Sequence, residues 1–283
     1  MIIDSQTNFV YLADSLPKTY PKFAKDLVQK LKDNKIGFDF LPETKDVWAV
    51  DYMPIQVSED KFIRFSYKPD YLISTKKWAK TISDVDAICQ TIGIKTVKSD
   101  IILDGGNISK WENKVLMTTK VFFENKGISE LLLIEELKNT LEINEIIFIP
   151  MEKNDWLGHA DGMARFLDSE TVLVNEFNRS EPSSYIDFLT ALNNAKLTWK
   201  TIPFTSLSNI DPNDASGLYL NYLELENHLF LPIFNQKEDQ QAIVVIEELF
   251  PTKKVIPILG TEPSKDTGII NCLTWNINAQ VPM

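Results

Sequence analysis

A cysteine and a histidine that lie far apart in the chain are the residues best suited to covalent chemistry. His159 stands in the segment 158–161 (GHAD), and Cys272 stands in the segment 271–274 (NCLT). A thiolate is a strong nucleophile, and an imidazole exchanges protons near neutral pH. One cysteine with one distant histidine is therefore a candidate nucleophile pair, although each residue taken alone is more often structural.

The surroundings of His159 favour a functional role. If residues 158–161 are extended, His159 and Asp161 point to the same side, because side chains alternate along a strand. A carboxylate beside an imidazole orients the ring and raises its pKa. The other histidine, His228, has no comparable setting and is interpreted as structural. The other cysteine, Cys89, is interpreted as buried packing on a helix face.

Two further motifs carry acidic residues. One is the segment 46–54 (DVWAVDYMP), which contains Trp48 and Asp51, and the other is the segment 103–107 (LDGGN). An aspartate before two glycines is commonly only a turn, and Trp48 alone could be a core aromatic. Chemistry is indicated only if the fold brings these motifs to Cys272 and His159.

The elements that would position these motifs alternate between strands and helices. Apolar residues spaced by four predict amphipathic helices, and runs of aromatic and β-branched residues predict strands. The predicted strands cover residues 9–13, 37–41, 61–67, 101–103, 115–119, 145–149, 163–166, 171–175, 198–202, 219–223, 228–232, 255–258 and 269–275. The predicted helices cover residues 20–33, 80–91, 129–141, 185–194 and 240–250. This repeated order predicts one α/β domain over residues 1–283, built from several similar units.

The composition narrows the class of protein. The chain has 283 residues, of which 44% are hydrophobic and 24% are charged, so it can bury a sizeable core. Its net charge of −11 argues against a nucleic-acid partner and favours a cationic small substrate. Neither a signal peptide nor an apolar run of membrane-spanning length is evident, so we expect no membrane partner and a cytoplasmic location.

Taken together, the four motifs resemble the agmatine deiminase and bacterial peptidylarginine deiminase family of guanidino-group-modifying enzymes. The matches are Trp-x-x-Asp-x-x-Pro at 48–54, Asp-Gly-Gly-Asn at 104–107, Gly-His-x-Asp at 158–161 and Cys-x-Thr at 272–274. Residues 219–222 and 231–232 also resemble a family segment, so the similarity covers roughly residues 40 to 275 in patches. The resemblance implies the pentein fold, a five-bladed α/β propeller of ββαβ-type units with pseudo-fivefold symmetry.

The resemblance also implies a reaction. Cys272 would attack the guanidino carbon, ammonia would leave, and water would release a ureido product from a covalent thiouronium intermediate. His159 would carry the protons, and Asp51 and Asp161 would grip the planar cation through its N–H edges. Neither a cofactor nor a metal is required.

The remaining implied residues would bind the substrate or support the site. Trp48 would flank the aliphatic stem of the substrate, and Asp104 and Asn107 would belong to the substrate-binding region, with a supporting role near the site. The substrate would be a small guanidino cation such as agmatine, arginine or peptidyl arginine. A homo-oligomer is possible.

Two residues depart from the family pattern. Val50 stands where agmatine deiminases usually carry arginine, and Asn271 stands where the family usually carries histidine. The chain is also shorter than typical agmatine deiminases. Two other functions therefore stay open, an amidinotransferase that uses a similar covalent intermediate and a non-catalytic binding protein of the same fold.

Overall fold

In the part of the chain that the structure describes, fifteen strands form five separate three-stranded sheets. The computed structural model describes residues 1–152, 155–176, 182–204, 211 and 213–279. The strands are β1 (Phe9–Ala13), β2 (Gly37–Leu41), β3 (Ile55–Gln56), β4 (Phe62–Ser66), β5 (Thr96–Ile102), β6 (Ser109–Trp111), β7 (Lys114–Thr118), β8 (Glu145–Ile149), β9 (Ala164–Phe166), β10 (Thr171–Asn175), β11 (Thr198–Ile202), β12 (Leu223–Glu224), β13 (His228–Ile233), β14 (Lys254–Leu259) and β15 (Thr274–Ile277).

The helices are short and connect these strands. They are α1 (Leu16–Thr19), α2 (Pro21–Asp33), α3 (Ala49–Tyr52), α4 (Asp70–Ile73), α5 (Lys76–Ala79), α6 (Val85–Thr91), α7 (Lys120–Glu124), α8 (Glu130–Leu141), α9 (Pro182–Asn194), α10 (Asp239–Leu249) and α11 (Ile270–Leu273). Three 3-10 turns cover Asp4–Gln6, Gly105–Asn107 and Pro263–Asp266. Within the described ranges, no helix combines the length and the apolar character needed to cross a bilayer.

All five sheets follow one pattern. The central strand pairs antiparallel with one neighbour and parallel with the strand that follows it through a helix. Four sheets use consecutive strands, with the orders β3-β4-β5, β6-β7-β8, β9-β10-β11 and β12-β13-β14. The fifth has the order β15-β1-β2, so the last strand pairs with the first and closes the set. The expected five-unit α/β architecture is confirmed.

Amphipathic spacing explains the helices that cover the sheets. In α2, Phe23, Leu27 and Leu31 recur every four residues and are buried, while lysines occupy the outer face. The central strand β7 is buried along residues Val115 to Thr118, which fits a strand packed on both faces. Cys89 is buried on α6, as predicted for a packing residue.

Four sequence-based boundaries were wrong. The strand predicted over 101–103 runs from Thr96 to Ile102. The helix predicted over 80–91 begins at Val85, because the Asp84 carboxylate accepts a hydrogen bond from the Ala87 N–H and caps it there. The strand predicted over 219–223 is a turn, and only Leu223 and Glu224 pair with β13. The strand predicted over 269–275 is the helical turn α11 followed by β15.

The buried face of α8 tests the packing directly. Leu137 is fully buried in the core beneath this helix, whereas Leu131 is 83% exposed on the same helix. We expect Leu137→Ala to lower the free energy of unfolding by about 2–5 kcal/mol, because it removes apolar contacts and leaves a cavity. The matched change Leu131→Ala should alter it by less than about 0.5 kcal/mol. Urea unfolding followed by circular dichroism measures both, and equal losses would contradict this packing.

Candidate active site

The four residues predicted to carry chemistry lie together. Cys272, His159 and Asp51 line one cavity of about 650 Å³, and Trp48 lines it as well. Asp161 lines a second cavity of about 110 Å³, which it shares with Cys272 and His159. These side chains come from α3, from the loop between β8 and β9, and from α11. The fold therefore assembles the predicted set from three distant segments.

His159 is held between two carboxylates. Its Nε2 lies 3.0 Å from Asp104 Oδ2, and its Nδ1 lies 3.6 Å from Asp51 Oδ1. Burial alone would lower the pKa of His159, but Asp51 and Asp104 raise it to about 9. The imidazole is therefore cationic at neutral pH, with Nε2–H donating to Asp104 and Nδ1 facing Asp51.

The carboxylate that orients the ring differs from the sequence-based expectation. Asp161 was expected beside His159 on an extended segment, but residue 161 lies in a turn and residue 159 is not in a strand. Asp104 takes that position from 55 residues away in the sequence. A local His-x-Asp spacing could not reveal this pairing, because it depends on how two separate units pack.

The Asp-Gly-Gly-Asn turn packs against Asp51 and His159 and helps to hold them in place. The Gly106 N–H donates to Asp51 Oδ1 at 3.0 Å. A Cβ at position 106 would lie 2.6 Å from His159 Nδ1 and 2.7 Å from Asp51 Oδ1, so only glycine fits between them. Asn107 Oδ1 accepts the Thr118 N–H at 2.8 Å, which ties the turn to β7. Neither Asp104 nor Asn107 is among the described residues that line the 650 Å³ cavity, and both lie where a supporting residue would.

Lys120 is a component of the site that the sequence analysis missed. Its side chain is 3% exposed, and its Nζ lies 2.9 Å from Asp104 Oδ2 and 3.3 Å from Glu124 Oε1. Burial would raise the pKa of Asp104, but His159 and Lys120 lower it. The only sequence signal was a Lys and a Glu four residues apart around an apolar run, which is an ordinary helix pattern.

Cys272 is buried on α11 beside a carboxylate and an amide. Its Sγ lies 3.9 Å from Asp161 Oδ2 and 3.0 Å from Asn221 Nδ2. Burial raises the pKa of the thiol well above its usual value, and Asp161 and Asp51 raise it further. These neighbours favour the thiol over the thiolate, and a nearby cation would act in the opposite direction.

The two departures from the family pattern lie behind the site. Asn271 Nδ2 donates to Asp161 Oδ2 at 2.7 Å, so it holds one of the predicted gripping carboxylates in place. Val50 and Asn271 both line a small cavity of about 50 Å³ that also contains Arg165. Neither is among the described residues that line the 650 Å³ cavity. Asn271 therefore contacts Asp161 directly, and Val50 precedes Asp51 in the chain, but neither belongs to the described wall of the large cavity.

Trp48 forms part of the cavity wall close to α11. A Cβ at position 268 would lie 2.5 Å from the Trp48 ring and 3.0 Å from the Cys272 Cβ, so Gly268 permits the close approach of the indole to Cys272. The Trp48 ring also packs against Tyr20, with ring centroids 6.2 Å apart. The indole is therefore held next to Cys272, and its contact with the substrate stem stays a prediction.

The cavity wall is acidic. Among the described residues that line it, Asp46, Asp51 and Asp266 contribute carboxylates, and none is Lys or Arg. Burial raises the pKa of Asp46 to about 7. The hydrogen bond that Asp46 accepts from the Trp48 backbone N–H opposes this shift. A wall of this composition favours a cationic molecule over an anionic one.

Replacement of Asp104 tests the electrostatic origin of the His159 charge. We expect Asp104→Asn to lower the pKa of His159 by about one pH unit or more, because the variant removes a negative charge in hydrogen-bond contact with Nε2. NMR titration of the imidazole protons measures the change. His228, which lies on β13, is the internal control and should keep its pKa. An unchanged His159 titration would show that Asp104 does not set its charge.

Comparisons with known proteins agree with this geometry. The family model of Porphyromonas-type peptidyl-arginine deiminases matches residues 17–278. The agmatine deiminase of Pseudomonas aeruginosa (strain UCBPP-PA14) is 22% identical over 62% of this chain and 56% of its own length. Among solved structures, the agmatine deiminase of C. jejuni superposes with a TM-score of 0.79 at 18% identity, covering 97% of this chain and 94% of that one. DDAH from Pseudomonas aeruginosa superposes with a TM-score of 0.61 at 14% identity, covering 96% and 99%. The pentein fold expected from the motifs is confirmed.

Proposed function

The chain belongs to the Porphyromonas-type peptidyl-arginine deiminase family and is a deiminase of guanidino groups, and from this premise we propose that Cys272 is its nucleophile and His159 its proton carrier. The observation that carries the proposal is the convergence of Cys272 and His159 on one cavity, with Asp51 and Asp161 beside them.

Substrate binding prepares the nucleophile. A guanidinium is planar and offers N–H edges that match paired carboxylates. Asp51 lines one and Asp161 the other of the two cavities that share Cys272 and His159. Burial raises the pKa of both acids, so the arriving cation stabilises their ionised forms. The same positive charge opposes the effect of burial on the Cys272 thiol and favours the thiolate.

The thiolate then attacks the guanidino carbon, and a C–S bond forms to give a tetrahedral adduct. The cationic His159 gives a proton to one amino nitrogen, the C–N bond breaks, and ammonia leaves a thiouronium on Cys272. Because Nε2 of His159 is hydrogen-bonded to Asp104, Nδ1 is the nitrogen that passes this proton. The neutral imidazole next takes a proton from water as the oxygen bonds to carbon. The C–S bond breaks and the sulfur leaves as the thiolate, the new hydroxyl gives its proton to solvent, and the ureido product is released.

The acidic wall indicates what the rest of the substrate carries. Asp46 and Asp266 line the same cavity as Cys272, and the Asp266 carboxylate accepts the Tyr20 hydroxyl at 2.8 Å. An α-carboxylate, as in free arginine, would be repelled by Asp46 and Asp266, whereas a terminal ammonium would find partners in them. We therefore propose agmatine as the preferred substrate, ahead of arginine and peptidyl arginine. A cytoplasmic location and a homo-oligomeric state stay predictions.

Removal of the sulfur tests the covalent step. We expect Cys272→Ala to abolish release of ammonia and ureido product, because the variant removes the sulfur that forms the covalent bond to the substrate. Colorimetric detection of the ureido product measures turnover, and circular dichroism confirms that the fold is kept. Cys89→Ala is the matched control, since that thiol is buried on α6 away from the cavity, and it should retain activity. Undiminished turnover by Cys272→Ala would remove the proposed mechanism.

The acidic wall can be tested by a pair of substrates that differ only in the terminal charge. We expect Asp46→Asn and Asp266→Asn to lower kcat/KM for agmatine about 10-fold or more, because a charge-assisted hydrogen bond contributes about 1.5–3 kcal/mol. The value for n-butylguanidine, which has no terminal ammonium, should change little. Steady-state assays of ureido product with both substrates measure the ratio. A parallel loss with the two substrates would show that these acids do not recognise the terminal charge.

A further inference from the structure

The turn that precedes β12 places a buried amide against the nucleophile. Asn221 is 1% exposed, and its Nδ2 donates a hydrogen bond to Cys272 Sγ at 3.0 Å. Its Oδ1 lies 3.0 Å from the Asn271 backbone nitrogen and 3.4 Å from the Cys272 backbone nitrogen. One side chain therefore contacts both the reacting sulfur and the backbone that carries it.

The orientation of this amide follows from its partners. A backbone N–H can only donate, so the atom that faces the nitrogens of residues 271 and 272 has to be the carbonyl oxygen. The NH₂ group of Asn221 then necessarily points to the sulfur. This assignment needs no assumption about the protonation of Cys272, because both a thiol and a thiolate accept a hydrogen bond.

We propose that Asn221 is a catalytic residue whose side-chain amide is a fixed hydrogen-bond donor to the Cys272 sulfur, holding it as an attacking group and stabilising it again as a leaving group. The inference rests on the proposed role of Cys272 as the nucleophile. The donor is neutral, so it favours negative charge on sulfur without competing for the two carboxylates that face the substrate.

The need for such a donor follows from the other neighbours of the sulfur. Asp161 Oδ2 lies 3.9 Å away and carries negative charge that disfavours a thiolate, and burial acts in the same direction. A hydrogen bond to the charged form of a group opposes both effects. Asn221 is thus placed to stabilise the sulfur twice, before attack and when the C–S bond breaks.

The alternative is that Asn221 only anchors α11 through the two backbone N–H groups. The reactivity of the thiol separates the two roles. A donor changes the pH at which the thiol ionises, whereas an anchor changes thermal stability or the rate at which the fully ionised sulfur reacts, and leaves that pH unaltered.

The test is the rate of alkylation of Cys272 by iodoacetamide, measured without substrate from neutral to strongly alkaline pH. Asn221→Leu keeps nearly the same volume and removes the donor, and Asn221→Ala is a smaller second variant if the first does not fold. Each should move the midpoint of the alkylation profile up by about one pH unit and lower the rate below the midpoint about 10-fold. The value of kcat for deimination should fall to a similar degree.

Asn125→Leu is the matched control. Asn125 is also a buried asparagine that bridges backbone groups, with Oδ1 accepting the Ile102 N–H and Nδ2 donating to the Ile102 and Val121 carbonyls. It should lower thermal stability and leave the alkylation midpoint unchanged. Cys272→Ala gives the background from Cys89, whose pKa is raised by burial to about 12.

An unchanged midpoint in a folded Asn221 variant would overturn the inference, whatever its effect on stability. The outcome is independent of the proposed function, because alkylation involves no turnover. If Cys272→Ala retained deimination, Cys272 would not be the nucleophile, and the effect of Asn221 on alkylation could still be interpreted. An inactive Cys272→Ala together with an unshifted midpoint would refute only the role of Asn221.

Discussion

The pairing of β15 with β1 is the contact on which the site depends. Thr274 pairs with Leu12 at the start of β15, directly after the helical turn that carries Cys272. The Thr274 hydroxyl donates to the Ile270 carbonyl at 2.9 Å, and the Trp275 indole N–H donates to the Pro54 carbonyl at 2.7 Å. Closure of the fifth sheet therefore fixes Cys272 and ties it to the segment that follows Asp51.

Chemically identical carboxylates take different roles within this frame because their neighbours differ. Asp104 contacts both His159 and Lys120, which keep it ionised and let it hold the imidazole. Positive neighbours offset the burial of Asp51 and Asp161 less fully than that of Asp104, so burial raises the pKa of each. Their charge therefore responds to a cation in the cavity, whereas that of Asp104 does not. Environment alone therefore separates Asp104, which contacts the His159 ring, from Asp51 and Asp161, the two acids proposed to bind the guanidinium.

The local patterns predicted most of the fold because the five units repeat one arrangement of strands and one amphipathic helix. They were wrong where a side chain from another unit takes over the backbone hydrogen bonds. The β-branched run at residues 269 and 270 reads as a strand, but Asn221 binds the N–H groups of the next two residues and the chain turns helical. Asp84 similarly caps the N-terminus of α6, so this helix begins later than predicted.

The candidate site was likewise predicted in part from local patterns and in part not. Motif order indicated Cys272, His159, Asp51 and Asp161, but no local spacing indicated Lys120 or Asn221. Lys120 reaches Asp104 from the next strand–helix unit, and Asn221 reaches Cys272 across 51 residues. Such contacts arise only from the packing of units, which hydrophobic periodicity does not encode.

The place of α11 and β15 in the chain has a consequence for biosynthesis. On the ribosome, residues 270–277 emerge after every other strand described here, while their partner β1 is among the first segments made. Joining segments so far apart in sequence is slow compared with local helix and hairpin formation. The strands of the other four sheets can therefore pair during translation, whereas Cys272 can join His159, Asp51 and Asp161 only after residues 270–277 have emerged. Completion of this pocket thus waits for the pairing of β15 with β1, two strands from opposite parts of the sequence.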